Sequence, residues 1–248
     1  MDINELIKNI TEEVYSKIKE QEVLPAAVKN EFVPFYLNQY IDYTIVQPDV
    51  SLEEVREACY EAKKHKFNSV CVNPNYVEFV AEQLSGSVVI PCSTVGFPLG
   101  AITPEMKADE AQAVFLLGAK EIEMVVNIAA IKSNNWHLVL RDIESVVRIA
   151  RGRGLVKVIL ESSLLTDEEI VRVCSIAKEA KAAFVQTSTG FCGDATVADV
   201  ALMRKVLGGD IGIKASSGIV DYKTAVSMID AGATRIGSSS GVAIVSAC

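Results

Sequence analysis

Three short segments in the second half of the chain gather the residues best suited to hold a small polar ligand and act on it. Lys214-Ala215-Ser216-Ser217-Gly218-Ile219 and Ile236-Gly237-Ser238-Ser239-Ser240-Gly241 each pass from an apolar stretch into a turn of glycines and serines. Small residues let backbone N–H groups approach an anion closely, serine hydroxyls add donors, and a following helix aims its positive N-terminus at the same point. Two tight turns with serine N-caps and no ligand are the plainer alternative. The pairing of two such turns favours a phosphate cradle at Ser217, Gly218, Gly237, Ser239 and Ser240, which Thr189 and Gly190 would complete. Those last two belong to the third segment, Phe184-Val185-Gln186-Thr187-Ser188-Thr189-Gly190-Phe191. Its Gln186 cannot attack a carbonyl, because the amide nitrogen's lone pair is delocalised. The amines that could attack from comparable strand ends are Lys157 and Lys214.

The elements that must position these residues follow a regular order. Short apolar runs near 40–46, 68–73, 88–95, 121–127, 156–161, 183–187, 211–215 and 234–238 read as strands. Amphipathic stretches at about 51–66, 75–85, 103–118, 135–152, 166–181, 195–208 and 221–231, with a last one after 239, read as helices. Ser51-Leu52-Glu53-Glu54 and Thr166-Asp167-Glu168-Glu169 have the form of capping boxes. Gly118, Gly208 and Gly232 suit left-handed helix ends. Eight β-α units predict an α/β chain folded as a (β/α)8 TIM barrel over residues 39–248, with the glycine-rich turns after strands seven and eight, where barrels commonly hold phosphate. An open doubly wound sheet is disfavoured, since no strand leads into a Gly-x-Gly-x-x-Gly turn. Leu6, Ile10, Val14 and Ile18 have helical spacing and predict an N-terminal helical extension over residues 1–38.

Bulk properties exclude several classes. A net charge of −8 without a Lys/Arg cluster argues against nucleic acid or an anionic membrane as partner. No apolar run is long enough to span a bilayer, and the acidic start of the chain does not read as a signal peptide. The six cysteines, at 59, 71, 92, 174, 192 and 248, read as buried thiols of a reducing compartment, so the expected location is the cytoplasm. His65 and His137 fall in polar helical stretches and read as surface residues. Asp42 reads as a structural hydrogen-bond acceptor, and Arg235 as the partner of a nearby acid.

From Tyr40 to about Ile244 the chain resembles the deoxyribose-phosphate aldolases. The resemblance rests on Ile41-Asp42-Tyr43-Thr44, Ser69-Val70-Cys71-Val72-Asn73-Pro74, Thr94-Val95-Gly96-Phe97-Pro98-Leu99-Gly100, Glu121-Ile122-Glu123-Met124-Val125-Val126-Asn127, Lys157-Val158-Ile159-Leu160-Glu161, Thr187 to Phe191, Lys214-Ala215-Ser216 and Gly232 to Gly237. It implies a monomeric or homodimeric barrel that cleaves 2-deoxyribose 5-phosphate into acetaldehyde and glyceraldehyde 3-phosphate, with neither metal nor cofactor. In that family a strand-six lysine forms a Schiff base; here the position holds Gln186. The resemblance gives Lys214 the role of the second ammonium that lowers the nucleophile's pKa, Glu123 that of the proton-shuttling carboxylate (an aspartate in the family), and Lys157 that of tuning the carboxylate. Tyr43 and Gln47 stand where the family usually has His and Lys, and Ser217 and Val220 where it has a glycine and often an arginine.

Two functions compete on these residues. One is an aldolase-like protein handling a small phosphorylated sugar or aldehyde, with imine chemistry lost or strongly reduced. The other is a pseudoenzyme that keeps the barrel and the cradle as a sugar-phosphate sensor or a protein-binding scaffold.

Overall fold

A computed structural model of the chain describes residues 36–246. The helical extension expected over residues 1–38 therefore lies almost wholly outside the described residues. Eight parallel strands close into a barrel in sequence order. They are β1 Ile41–Ile45, β2 Ser69–Val72, β3 Ile90–Val95, β4 Glu121–Val125, β5 Leu155–Ile159, β6 Phe184–Gln186, β7 Gly212–Ser216 and β8 Arg235–Ser238. Each lies within a predicted strand or overruns it by one residue. The ring closes where Asp42 of β1 pairs with Gly237 of β8.

The helices outside the ring are α1 Leu52–His65, α2 Val77–Gln83, α3 Pro104–Leu116, α4 Ile128–Lys132, α5 Trp136–Ala150, α6 Asp167–Glu179, α7 Val197–Leu207, α8 Tyr222–Asp230 and α9 Gly241–Ser246. Both predicted capping boxes form, Ser51 with Glu54 and Thr166 with Glu169. Gly118, Gly208 and Gly232 all take positive φ, as expected of helix ends. The short α4 was not anticipated. Its five residues are too few to show helical periodicity, and it forms because the Asn127 side chain caps the Ala130 N–H.

Alternation along the strands sorts the side chains. Apolar residues such as Ile122, Met124, Val156, Val158, Val185, Ile213 and Ile236 are fully buried in the core between sheet and helices. The intervening Asp42, Glu121, Glu123, Lys157, Gln186 and Lys214 are just as buried, and the five charged ones meet one another inside the ring. A second buried ion pair lies between helices. Lys107 of α3 donates to Asp142 of α5 and to the Val125 carbonyl, each at 2.7 Å, and Asp142 also accepts the Asn127 N–H. The pair fixes the end of β4 against two helices. No helix among the described residues is long and apolar enough to cross a membrane.

Candidate active site

Charged residues in strands this apolar require partners, and the barrel supplies them across its interior. Lys157 Nζ lies 2.5 Å from Asp42 Oδ2, 2.7 Å from Glu121 Oε2 and 3.2 Å from Glu123 Oε1. Lys214 Nζ lies 2.5 Å from Glu123 Oε1 and 3.3 Å from Asp42 Oδ2. Arg235 closes the set, 2.7 Å from Asp42 Oδ1 and 3.3 Å from Glu121 Oε1, while Ser69 donates to Asp42 at 2.7 Å. Three carboxylates face three cations, so the buried cluster is formally neutral.

The neighbouring charges set the direction of each resolved shift. Burial pushes Asp42 and Glu123 up, yet their cationic neighbours outweigh it; Lys157, Lys214 and Arg235 hold Asp42 far below the usual carboxylate range, and Lys214 and Lys157 hold Glu123 below its own. Burial lowers the two lysines, but Asp42 and Glu123 outweigh it and raise both ammonium groups above the ordinary value, Lys157 the further. An ammonium has no lone pair to offer a carbonyl. Lys157 and Lys214 are thus placed as charge partners, and the proton-shuttling carboxylate expected at Glu123 is tied to both.

Gln186 ends β6 directly beside Lys214 of β7. Its Nε2 donates to the Ser188 carbonyl at 3.3 Å, whereas its buried Oε1 has no hydrogen-bond partner, and neither does the buried Ser188 hydroxyl. An orphaned buried polar atom costs about 1–3 kcal/mol.

Above this floor a cleft of about 490 Å³ opens between the β1–α1 loop and the turns after β6, β7 and β8. Thr189, Gly190, Ser217, Gly218, Gly237 and Ser239 line it, as the cradle reading expected. Ser240 does not; it stands at the head of α9, where its carbonyl accepts the Ile244 N–H. Glu123, Lys157, Gln186 and Lys214 are also absent from the lining, each at most 2% exposed. The glycine at 237 is required by the floor, because a Cβ there would lie 2.5 Å from Lys214 Cε. Thr189 is bonded through its hydroxyl to buried Glu161, whose carboxyl is raised by burial against the donors of Thr189.

Other expectations change. Asp42 is a hydrogen-bond acceptor as expected, but with three donors, Ser69, Lys157 and Arg235, which makes it the hub of the cluster. Glu121 was missed, although Glu121 and Glu123 are two apart on one strand and must share a face. Arg235 does pair with acids, with two of them. Cys192 is exposed, in the loop after β6, so it is not a buried thiol, and Cys248 lies outside the described residues. His65 is half-buried, stacked on Phe67 and 3.1 Å from Glu61. Cys71, Cys92 and a Glu123 oxygen lie within 4.8 Å of one another. Glu123 among them is already engaged by two ammonium groups, which would also repel a divalent metal.

Residues 36–247 match the profile described as DeoC/LacD family aldolase. The deoxyribose-phosphate aldolase of Streptococcus sanguinis is 55% identical over 210 residues, which is 84% of this chain and 95% of that one. The deoxyribose-phosphate aldolase of Enterococcus faecalis is 53% identical over 211 residues, covering 85% and 96%. Among solved structures, a protein assigned as a deoxyribose-phosphate aldolase in Coccidioides immitis superposes with a TM-score of 0.92 at 33% identity, covering 98% of this chain and 97% of that one. A deoxyribose phosphate aldolase from Aeropyrum pernix, described as tetrameric, gives 0.78 at 33% identity, covering 85% and 90%.

Proposed function

Because the chain belongs to the DeoC/LacD family of aldolases, we propose that it binds a deoxyribose-type sugar in the cleft and has lost, or nearly lost, the imine route to its cleavage. The sugar class is the one in the relatives' name, deoxyribose-phosphate aldolase. The observation that carries the loss is the pairing of the amines on the barrel floor: position 186 is an amide, and the Lys157 and Lys214 nitrogens each lie 2.5 Å from a carboxylate oxygen. Imine formation needs a neutral amine in contact with the substrate carbonyl. Glu123 makes a poor substitute as a general base acting without an imine, because two cations lower its proton affinity.

In this reading Thr189, Gly190, Ser217, Gly218, Gly237 and Ser239 hold the end of the sugar remote from its carbonyl. The backbone around these small residues supplies donors, and Ser240 sets the turn behind them. The absence of the four floor residues from the cleft lining favours a second reading, in which the bound sugar is sensed and not turned over. No metal or cofactor enters either reading.

Borohydride reduction with 2-deoxyribose 5-phosphate or 2-deoxyribose, read by intact mass and peptide mapping, tests the proposal. The expected result is no adduct on the native chain and an adduct at position 186 in Gln186→Lys. An adduct on Lys157 or Lys214 would overturn it, and would mean that the amine has moved to another strand.

A further inference from the structure

Glu161 is a buried carboxylate that the floor cluster does not use. It is fully buried, yet among the described residues no lysine, arginine or histidine pairs with it, in contrast to Asp42, Glu121 and Glu123. Its backbone stands at φ 57° and ψ 60°, a left-handed conformation that favours glycine. The other described non-glycine residues at positive φ are Lys66, Asn134, Lys181 and Ser217. Lys66, Asn134 and Lys181 follow helices, where such geometry is ordinary. Glu161 follows β5 and Ser217 follows β7, the two neighbours of β6 in the ring. An unusual backbone held at a strand end beside a ligand cleft points to function. On the reading that the cleft is a sugar site, we infer that Glu161 is its positioning residue: from behind the cleft it fixes the β6 turn that presents Thr189 and Gly190 to the ligand.

The left-handed residue leaves the pairing of β5 with β6 intact on both sides. The Leu160 N–H donates to the Gln186 carbonyl and the Ser162 N–H to the Thr187 carbonyl, each at 2.9 Å. Within that frame the carboxylate reaches the next turn. Its Oε2 accepts the Thr189 N–H at 3.3 Å and the Thr189 hydroxyl as well. The Thr189 hydroxyl oxygen in turn accepts the Phe191 N–H at 3.1 Å, so one carboxylate oxygen sets the turn from Thr189 to Phe191. Phe191 then meets Phe97, from the turn after β3, edge to face with ring centroids 5.5 Å apart. On the other side, the Ser217 hydroxyl donates to Asp194 at 2.5 Å and its carbonyl accepts the Ala195 N–H at 3.3 Å. The loop between β6 and α7 is thus held at its start from β5 and at its middle from β7. Thr189 and Gly190 line the cleft, whereas Glu161 does not, so its effect on a ligand runs through the placement of the turn.

Because one oxygen accepts both Thr189 donors, position can be separated from charge. Glu161→Gln keeps the reach and an acceptor oxygen, while Glu161→Asp keeps the charge and stops one methylene short. Calorimetric titration of 2-deoxyribose 5-phosphate into the full native chain and into Glu161→Gln, Glu161→Asp and Glu161→Ala, with urea unfolding of each, tests the inference. Glu161→Gln should bind within about threefold of the native chain. Glu161→Asp and Glu161→Ala should bind about tenfold or more weakly, the worth of one or two hydrogen bonds from a displaced turn. A glutamate that only supports the fold would lower stability and leave the affinity of the folded chain unchanged. Native affinity in folded Glu161→Asp therefore overturns the inference and leaves the sugar site standing. So does a loss in Glu161→Gln as large as in Glu161→Asp, since charge and not position would then be responsible. If Glu161→Ala does not fold, the other two variants decide. No binding by the native chain overturns the sugar-site reading and the inference with it.

Discussion

The floor of the barrel and the cleft above it treat charge in opposite ways. Below, three acids and three cations are wholly or mostly buried and paired with one another across the barrel. Above, carboxylates line an open wall with no cation among the lining residues. Groups able to do chemistry are therefore held where they balance one another, while the open cleft presents carboxylates, serines and the backbone of its glycine turns. Position 186 separates the two regimes. An amine there would stand beside Lys214 and under the cleft; the amide adds neither charge nor nucleophile.

The largest test of this contrast is Gln186→Lys. A third ammonium beside Lys214 would unbalance the cluster, and like-charge repulsion would favour its neutral form. Sugar cleavage should rise from background by on the order of 10³-fold, measured by coupled detection of acetaldehyde. No gain would mean that the floor stays closed to substrate whatever stands at 186. Next in size is Glu123→Gln, which leaves Lys214 facing Asp42 at 3.3 Å as its remaining acid. Removing one member of a buried ion cluster costs about 3–5 kcal/mol, to be read from urea unfolding. Lys107→Met should cost about as much by orphaning Asp142, whereas Lys107→Met with Asp142→Leu should recover much of it.

The fold was far more legible than the site. Eight strands and most helices follow from periodicity and caps, because each is set by residues within one turn or one strand. The floor depends on which residues face inward on different strands. Glu121 could have been paired with Glu123 from their spacing of two. That Asp42 of β1 would meet Lys157 of β5 needs the closed ring, a separation of 115 residues. The turns that line the cleft were legible as a place, but not in all their hydrogen bonds. Nothing local to Ser217 shows that Asp194, on the preceding loop, takes its hydroxyl.

A smaller effect separates floor from cleft by pH. Asp42 and Glu123 are lowered in the folded chain, so their contribution is present above the unfolded carboxylate pKa of about 4 and is lost as pH falls toward the folded values. Lys157 and Lys214 are raised, so theirs is present below about pH 10.4 and is lost as pH rises through the folded values. Asp142 and Glu161, raised by burial, have the opposite sign to Asp42, favouring the folded state when protonated. Urea unfolding should show a plateau from about pH 5 to 9 and a fall below pH 4, each unit of pKa depression contributing about 1.4 kcal/mol. Asp42→Asn should make the acid limb shallower.

The smallest expected effect is Gln186→Met, and it addresses what the amide does for the fold. The side chain makes one hydrogen bond, to the Ser188 carbonyl at 3.3 Å, and leaves Oε1 buried without a partner. Methionine is of similar length, removes the orphaned acceptor and loses that long bond, so the two changes offset. Unfolding free energy should move by less than about 1 kcal/mol in either direction. A loss above about 2 kcal/mol would show the amide to be a structural member of the floor, joining the charges beneath it. A neutral result with weakened sugar binding would assign Gln186 to the cleft, as a group that contacts the ligand after the nucleophile's role is gone.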